Sequence, residues 1–538
     1  MAEPSPTAHD EGWSDERSVA DGHNPWLIVG IISIATFMVV LDTSIANVSL
    51  DHIAGNLSAS YDEATWVITS FLVANAVVVP ISGWLSDVIG RKRYYMISVA
   101  LFTASSLLCG LAPNLPLLIA FRVLQGIGGG GLAPVEQSML VDTFPPKSRN
   151  LAFSAYGAVV IAGPVAGPIL GGLLTDNLSW HWVFLINVPI GVLSLFLVHL
   201  FIDEPEAVRT HTENLRKNGI NFDSVGFILI ALFLACLEVV LDRGQRDDWF
   251  SSPLIASFAI ISGVSLIAFI PWEFSRKDPA VNVRLFCRRN FAIANVLMLM
   301  VGIIVFGTTQ FIPQLLQQVM GYTATDAGMA LTAGGLATIF MMPVAGLLTG
   351  KLSPRLLVGI AFVIEGLALW NMSTLSTQMS FEDAALARMW QAIGLPFLFI
   401  PITSIAYVGL QPEETNQASA LMNMCRNLGG TIGISFAQTM LQQRQQFHQA
   451  RYVETLNPLN PNYTAGIKDL AQTLAAQGHA PAEAQSLAVG ELYRTLMRQA
   501  SMLSYIEVFR ILTILLLCAL PLILLMRGQK AGSEAERK

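Results

Sequence analysis

Apolar residues dominate the chain in fourteen stretches, separated mostly by short polar loops. A helix needs about 20 mostly apolar residues to cross the hydrocarbon core of a bilayer. The stretches that meet this requirement are 26–48, 64–85, 94–112, 115–140, 151–173, 181–202, 223–242, 252–272, 290–311, 325–349, 355–376, 384–409, 417–440 and 505–526. The pattern predicts an all-α integral membrane protein with fourteen transmembrane helices, which we number as spans 1 to 14 in chain order.

Composition supports this class. The 538 residues are 53% hydrophobic and 13% charged, whereas soluble domains carry roughly 25% charged residues. The net charge of −7 argues against a nucleic-acid partner, because phosphate binding needs clustered positive charge. The eight histidines are scattered and the five cysteines show no disulfide framework, so we expect no metal site and no enzymatic activity. Residues 126–131 match GxGxxG, yet no strand precedes them, so we expect helix packing there and no cofactor.

Basic residues in the short loops fix the orientation. An even number of spans places both termini on one side, and Lys and Arg collect on the cytoplasmic face. With the termini inside, the cytoplasmic loops hold fifteen Lys and Arg, against only Arg243 and Arg246 in the short loops outside. The sequence thus predicts a disordered cytoplasmic segment at 1–25 and a cytoplasmic tail at 527–538.

Several spaced residues of the first half of the chain recur at nearly constant offset in the second half. Arg122 and Gln125 in span 4 recur 266 positions later as Arg388 and Gln391 in span 12. Two further sets share nearly the same offset: Pro80 and Gly83 with Pro343 and Gly346, and Asn150, Gly163 and Gly167 with Asn416, Gly429 and Gly433. We therefore expect six-helix bundles at 26–202 and 290–526 around an inserted helix pair at 203–289, a 6+2+6 arrangement. Transporters built of parallel repeats bind substrate near mid-membrane between the halves.

One loop, 441–504, is far longer than the others and by this topology is periplasmic. Its flanks are helix-forming in composition and are predicted to extend spans 13 and 14 beyond the bilayer, with a turn at 457–462. The loop is either a docking platform for a periplasmic protein or a solvated linker without a partner.

Asp42 in span 1 and Arg122 in span 4 are the first candidates for chemistry. Asp42 lies about 24 Å from the cytoplasmic edge and Arg122 about 10 Å from the opposite edge, at 1.5 Å per residue. Both therefore fall in the outer half of a core about 30 Å thick and are expected to pair. An arginine within a spanning segment is seldom left unpaired. The pair is either a static link between two helices or a proton-coupling site, in which Asp42 takes up a proton once separated from Arg122.

The segment GWLSDVIGRKR, 83–93, lies between spans 2 and 3. Gly83 and Gly90 permit a tight turn and close helix approach, and Asp87 is expected near the N-terminus of span 3, where a carboxylate is favoured. With Arg91 they form a predicted gating loop, a charge latch that is made and broken as the halves rock.

Span 5 contains AGPVAGPILGG at 162–172. Its prolines kink the helix, and its glycines form a face for close packing. We expect a bent, tightly packed helix at the interface between the halves. The residues of this motif are Gly163, Pro164, Gly167, Pro168 and Gly171.

Several other residues are candidates for substrate contact: Glu365, Arg426, Phe153, Tyr156, Phe311 and Arg388. Glu365 and Arg426 fall near the midplane and either recognise a charged substrate or pair with each other. Arg388 copies Arg122, but span 9 has no acid matching Asp42, so only the N-terminal half is expected to exchange protons. Glu136 is expected to reach the inner rim of the membrane, and Glu238 to be structural.

Six motifs in order carry a resemblance to a known family: LDTSIANVSL, GWLSDVIGRKR, FRVLQGIGGG, GPVAGPILGG, WHWVFLINVPIG and LDRGQRDDWF. Together they resemble the fourteen-helix drug:proton antiporter branch of the major facilitator superfamily, and the similarity runs from about 26 to 526. It implies a major facilitator fold in a bacterial inner membrane and export of amphipathic toxic compounds in exchange for protons. It also implies a tripartite pump with a periplasmic membrane-fusion adaptor and an outer-membrane channel.

By position, the resemblance assigns Asp42 and Arg122 to proton coupling, Asp87 and Arg91 to the gating loop, and 163–172 to the antiporter motif. Two alternatives stay open. One keeps the fold but makes the protein a proton-coupled importer or exporter of a specific metabolite or siderophore. The other is a non-transporting membrane scaffold for a periplasmic adaptor.

Overall fold

A computed structural model of the chain describes residues 24–204, 206–217, 223–276, 279–457 and 459–526. These residues are helical nearly throughout, and no strand occurs among them. The predicted cytoplasmic segments 1–25 and 527–538 lie outside the described residues, apart from Asn24 and Pro25.

Twenty α-helices follow one another along the described chain. They are α1 (Pro25–Val48), α2 (Leu50–Asn56), α3 (Tyr61–Ala64), α4 (Trp66–Ile89), α5 (Arg91–Gly110), α6 (Leu115–Gly130), α7 (Leu132–Thr143), α8 (Pro146–Asn177), α9 (Trp182–Leu185), α10 (Asn187–Phe201), α11 (Glu206–Lys217), α12 (Ser224–Arg243), α13 (Pro253–Ser275), α14 (Arg289–Gln318), α15 (Ala324–Thr349), α16 (Pro354–Met372), α17 (Phe381–Ala406), α18 (Thr415–Thr455), α19 (Pro461–Ala476) and α20 (Pro481–Leu525).

Each predicted span lies on one helix or on two consecutive ones. Twelve segments of the described chain are long and apolar enough to cross a membrane, with α6–α7 and α9–α10 each counting as one. The other two predicted spans form α5 and α18, which are less apolar because α5 begins with three basic residues and α18 is polar over much of its length.

Two groups of helices meet along a seam. In the first half, α1 packs against α8 and α10, and α6 lies between α4 and α5. In the second half, α14 packs against α18, and α17 lies between α15 and α16. The halves meet where α8 contacts α15 and where α4 and α7 contact α18, while α12 and α13 pack on each other beside α4. The division into domains at 26–202, 203–289 and 290–526 stays a prediction.

A helical hairpin projects from one end of the bundle. The 41 residues of α18 and the 45 of α20 run without a break through spans 13 and 14 into the 441–504 segment. At 1.5 Å per residue each is more than 60 Å long, about twice the thickness of a bilayer core. Arg444 and His448 of α18 contact Glu507 of α20 at 3.0 and 3.2 Å. We call this end of the molecule the hairpin end.

Glycines bring α1 and α8 into close contact. A Cβ atom at Gly163 would lie 2.8 Å from Val40 Cγ1, and one at Gly167 would overlap Ser44. These contacts flank Asp42, so the packing of α8 fixes α1 at the level of the candidate acid. The glycine face therefore meets a helix of the same half.

The other half is met through a different face of α8. A Cβ atom at Gly335 of α15 would overlap Val165, which places this residue at the seam. Gly171 continues the face toward α1, where its Cβ atom would lie 3.3 Å from Ile45. Pro164 is half-buried, and the side chain of Pro168 lies outside the described part of the chain.

Glycines also seat α6 between its neighbours. A Cβ atom at Gly126 would lie 2.8 Å from Ala74 Cβ of α4, and one at Gly128 would lie 2.6 Å from the Phe102 nitrogen of α5. The GxGxxG match is thus a packing motif, as predicted, and it places Arg122 one turn away in the interior of the first half.

Replacement of Gly167 by alanine should destabilise the protein by about 1 to 3 kcal/mol, because its methyl group would overpack against Ser44. The measurement is the midpoint of thermal unfolding in detergent. Gly172→Ala is the matched control, since a Cβ atom at Gly172 would have no neighbour within 4 Å. Equal midpoints for the two variants would contradict this account of the α1–α8 contact.

Candidate functional site

A buried ion pair joins α1 to α6. Arg122 Nη1 lies 2.6 Å from Asp42 Oδ2, and both side chains are 0% exposed. Among the ion pairs of the described residues, no other has both partners fully buried. Removing one partner of such a pair costs roughly 3–5 kcal/mol, since it leaves an uncompensated charge inside. The structure thus brings together the two residues that sequence analysis assigned to proton coupling; their role stays a prediction.

Two amides complete the shell of the carboxylate. Gln125 Nε2 and Asn187 Nδ2 both donate to Asp42 Oδ1, at 2.9 and 2.7 Å. The same two nitrogens donate to the Ser106 hydroxyl, at 3.1 and 3.0 Å. Asp42 therefore accepts three hydrogen bonds from α6 and α10, two from side-chain amides and one from a guanidinium.

The guanidinium of Arg122 has its own set of partners. Its Nε donates to the Val67 carbonyl at 2.9 Å and Nη1 donates to Gln125 Oε1 at 2.8 Å. The group lies over the Phe71 ring, 4.2 Å from the centroid. Nη2 has no acceptor among the described residues. Arg122 is thus held by α4 as well as by Asp42, and it keeps one donor free for another acceptor.

The second half repeats this geometry with different chemistry. Thr308 stands 266 positions after Asp42, and it accepts a hydrogen bond from Arg388 Nη1 at 3.1 Å. Thr309 accepts one from Nη2 at 3.1 Å. Gln391 connects Arg388 to Glu365 of α16 by accepting from the arginine and donating to the acid. In this half an amide separates the acid from the base.

Asp87 connects the two halves. It lies in the last turn of α4 and accepts a hydrogen bond from the side chain of Asn416, the second residue of α18. A Cβ atom at Gly83 would lie 3.0 Å from the Asn416 carbonyl oxygen and from Gln417 Cα. Asp87 therefore meets the N-terminus of α18, in addition to lying four residues before the start of α5.

The rest of the gating loop is held within the first half. Gly90 joins α4 to α5 with φ at +96°, a conformation that favours glycine. The buried Arg91 forms an ion pair with Asp142 at the end of α7. On the surface of the molecule, Arg216 of α11 donates to the Val88 carbonyl at 3.0 Å and so covers the end of α4. The loop therefore has two contacts that can open with the seam, Asp87 with Asn416 and Gly83 with Gln417, and others that stay in place.

The candidate substrate residues do not form one cluster. Phe153 stacks on Tyr407 across the seam, with ring centroids 5.8 Å apart. Phe311 meets Tyr505 inside the second half, at 6.5 Å. Tyr156 lies within the electrostatic reach of Arg426 on the opposite half.

The alternative that Glu365 pairs with Arg426 is wrong. Glu365 is bonded to Gln391, whereas Arg426 lies 6.0 Å from the Phe399 ring centroid and is in no ion pair of the described residues. The reason is the direction of the side chains, since equal depth in the membrane does not place residues of two helices face to face.

Sequence analysis missed several polar residues of the site. Asn187 and Ser106 lie in apolar segments, and only their polarity there marked them out.

Glu136 was expected at the inner rim, but its side chain is 0% exposed. It is directed inward, toward Thr36 of α1.

A disulfide between Gly83→Cys and Gln417→Cys should lock the halves together at this contact. The five native cysteines are first replaced by alanine. We expect oxidation to cross-link the two positions and thereby to stop transport in vesicles. A reducing agent should restore transport. Each single cysteine variant serves as the control. Unimpeded transport by the fully cross-linked protein would contradict a gating role for this contact.

Comparison with known proteins places the chain in a family. The Major Facilitator Superfamily profile matches residues 32–434. The chain is 39% identical over 436 residues to the multidrug export protein EmrB of Haemophilus influenzae, which covers 81% of this chain and 84% of that protein. It is 38% identical over 479 residues to the multidrug export protein EmrB of Escherichia coli K12, at 89% and 90% coverage.

A solved structure supports the fold alone. The crystal structure of the human organic anion transporter MFSD10 (TETRAN) matches with a TM-score of 0.57 at 13% identity, over 92% of this chain and 100% of that one. The predicted all-α membrane architecture with a major facilitator fold is confirmed. The chain therefore belongs to the major facilitator superfamily, as an EmrB-like member.

Proposed function

We propose that the protein exports amphipathic small molecules across the membrane in exchange for protons, and that Asp42 carries the proton. The observation that carries the proposal is the fully buried ion pair of Asp42 with Arg122. The relatives are named multidrug export proteins, which supports export as the direction and small molecules as the cargo.

The buried pair supplies a simple coupling step. When a proton binds Asp42, the carboxyl becomes neutral and its attraction for Arg122 is lost. Arg122 keeps its bonds to Val67 and Gln125, so its guanidinium remains hydrogen-bonded to protein groups. A proton that moves down 100 mV and one pH unit supplies about 2.3 plus 1.4 kcal/mol. This matches the roughly 3–5 kcal/mol at stake when a buried pair is broken.

Loss of the pair is expected to change the helix packing. Asp42 lies between the two glycine contacts of α1 with α8, and α8 meets the other half at Val165. A shift of α1 is therefore passed to the seam through a tightly packed helix. The Asp87–Asn416 contact would open and close with this movement.

Asp42→Asn should still fold and insert into the membrane, with lower stability because Arg122 loses its counter-charge. Its proton-driven export in everted vesicles should fall to the level of vesicles without the protein. The amide keeps hydrogen-bonding capacity but cannot bind and release a proton. The control is Glu238→Gln, which removes a buried carboxyl on α12 that accepts from Thr431 at 3.1 Å. Export by the Asp42→Asn variant at the rate of this control would remove Asp42 from the mechanism.

The finer part of the proposal concerns location and partners. We infer an inner-membrane pump with cytoplasmic termini whose hairpin end faces the periplasm and binds a membrane-fusion adaptor, which passes substrate to an outer-membrane channel. The hairpin supports this with exposed apolar side chains on several of its elements. They are Phe447, Val453, Leu459, Val489 and Tyr493.

A photo-reactive benzoylphenylalanine at Leu459, which is 93% exposed, should cross-link to a co-expressed membrane-fusion adaptor. The same residue at Ile267, which is 75% exposed on α13, is the control and should not. If the yield of cross-linked adaptor is no higher at Leu459 than at Ile267, the 441–504 segment is better interpreted as a solvated linker.

A further inference from the structure

A second buried acid lies in the first half and takes no part in the coupling step. Glu136 of α7 is 0% exposed. One of its carboxylate oxygens accepts a hydrogen bond from the Thr36 hydroxyl of α1. Thr36 in turn lies 3.2 Å from the Tyr156 hydroxyl of α8. Three helices thus converge on this carboxyl.

The carboxyl of Glu136 has no cationic partner among the residues that the structure describes. It belongs to no ion pair of the described residues, and its Oε1 accepts no hydrogen bond from them. This differs from Asp42, which has Arg122 and two amides. An ionisable side chain inside a membrane protein is expensive and by default marks a functional site. Glu136 therefore has unused capacity for a positive group.

The site lies beside the seam. The next two residues of α7 already bond to α18 of the other half, since Gln137 accepts from Asn423 at 2.8 Å and Ser138 donates to Ser419 at 3.0 Å. On α8, the residue after Tyr156 is Gly157, whose Cβ atom would lie 2.9 Å from Met342 of α15. Separation of the halves would therefore uncover residues directly next to Glu136 in α7 and to Tyr156 in α8.

We propose that Glu136, with Thr36 and Tyr156, binds the cationic group of a transported substrate when the seam opens. This inference rests on the proposed export function and adds a substrate class to it, amphipathic organic cations. An aromatic ring and a carboxylate together suit such a group, because the ring attracts a cation electrostatically and the carboxylate compensates its charge.

The test compares two fluorescent probes of nearly equal shape, trimethylammonium-diphenylhexatriene and uncharged diphenylhexatriene. Proton-driven export of both is measured in everted vesicles. We expect Glu136→Gln to lower the ratio of cation export to neutral export about tenfold or more, because the quaternary ammonium loses the negative charge that attracts it. Glu136→Asp should restore most of the ratio, and Glu238→Gln is the control. An unchanged ratio in Glu136→Gln, whether both rates persist or both fall, overturns the proposal.

A second measurement uses the unsubstituted protein and does not depend on the folding of a variant. Purified full-length protein is treated with dicyclohexylcarbodiimide, and the modification of Glu136 is quantified by mass spectrometry. The cationic probe should protect Glu136 and the neutral probe should not; equal labelling with both overturns the proposal. If the unsubstituted protein and Glu238→Gln export neither probe under a proton gradient, the export function itself fails. Protection of Glu136 by the cation alone would then still identify a cation site.

Discussion

The ion pair between Asp42 and Arg122 is the interaction on which the rest of the first half depends. Two opposite charges are stable in this interior only because their remaining hydrogen-bonding groups are nearly all satisfied, by Gln125, Asn187 and Val67. That geometry requires α1, α6 and α10 to stay in register within a fraction of an ångström. The glycine faces supply the register, since α8 packs on α1 beside Asp42 and α6 sits deep between α4 and α5. Close helix packing thus serves one polar site.

The two halves share a backbone pattern but differ in charge placement. At equivalent positions, the first half has Asp42 facing Arg122 and the second has Thr308 facing Arg388. The Thr308 hydroxyl accepts a hydrogen bond from Arg388 without carrying a negative charge. It therefore offers no carboxylate that a proton could neutralise to release the arginine. Glu365 compensates the second arginine through Gln391 and thereby keeps the repeat stable. We therefore expect the first half to respond to a proton and the second to serve as its scaffold.

Much of this arrangement was predictable from the sequence. Hydropathy alone placed each predicted span on one helix or on two consecutive ones. The depth of Asp42 and Arg122 along their helices was enough to predict that they meet. Depth could not predict rotation about a helix axis, which is why the pairing of Glu365 with Arg426 was wrong and why Glu136 turned out to be buried. The same limit hid Asn187, whose contact with Asp42 depends on the short break between α9 and α10. Long-range contacts such as Asp87 with Asn416, 329 positions apart, need the packing of both halves.

If Asp42 exchanges its proton for the bond to Arg122 in step with substrate, substrate binding must release a proton. The most direct test is to count protons released on substrate binding by purified protein in a weakly buffered detergent solution with a pH indicator. Binding of an amphipathic substrate should release about one proton per molecule from the unsubstituted protein and from Glu238→Gln, and none from Asp42→Asn. The same release from Asp42→Asn, with substrate still bound, would contradict the account.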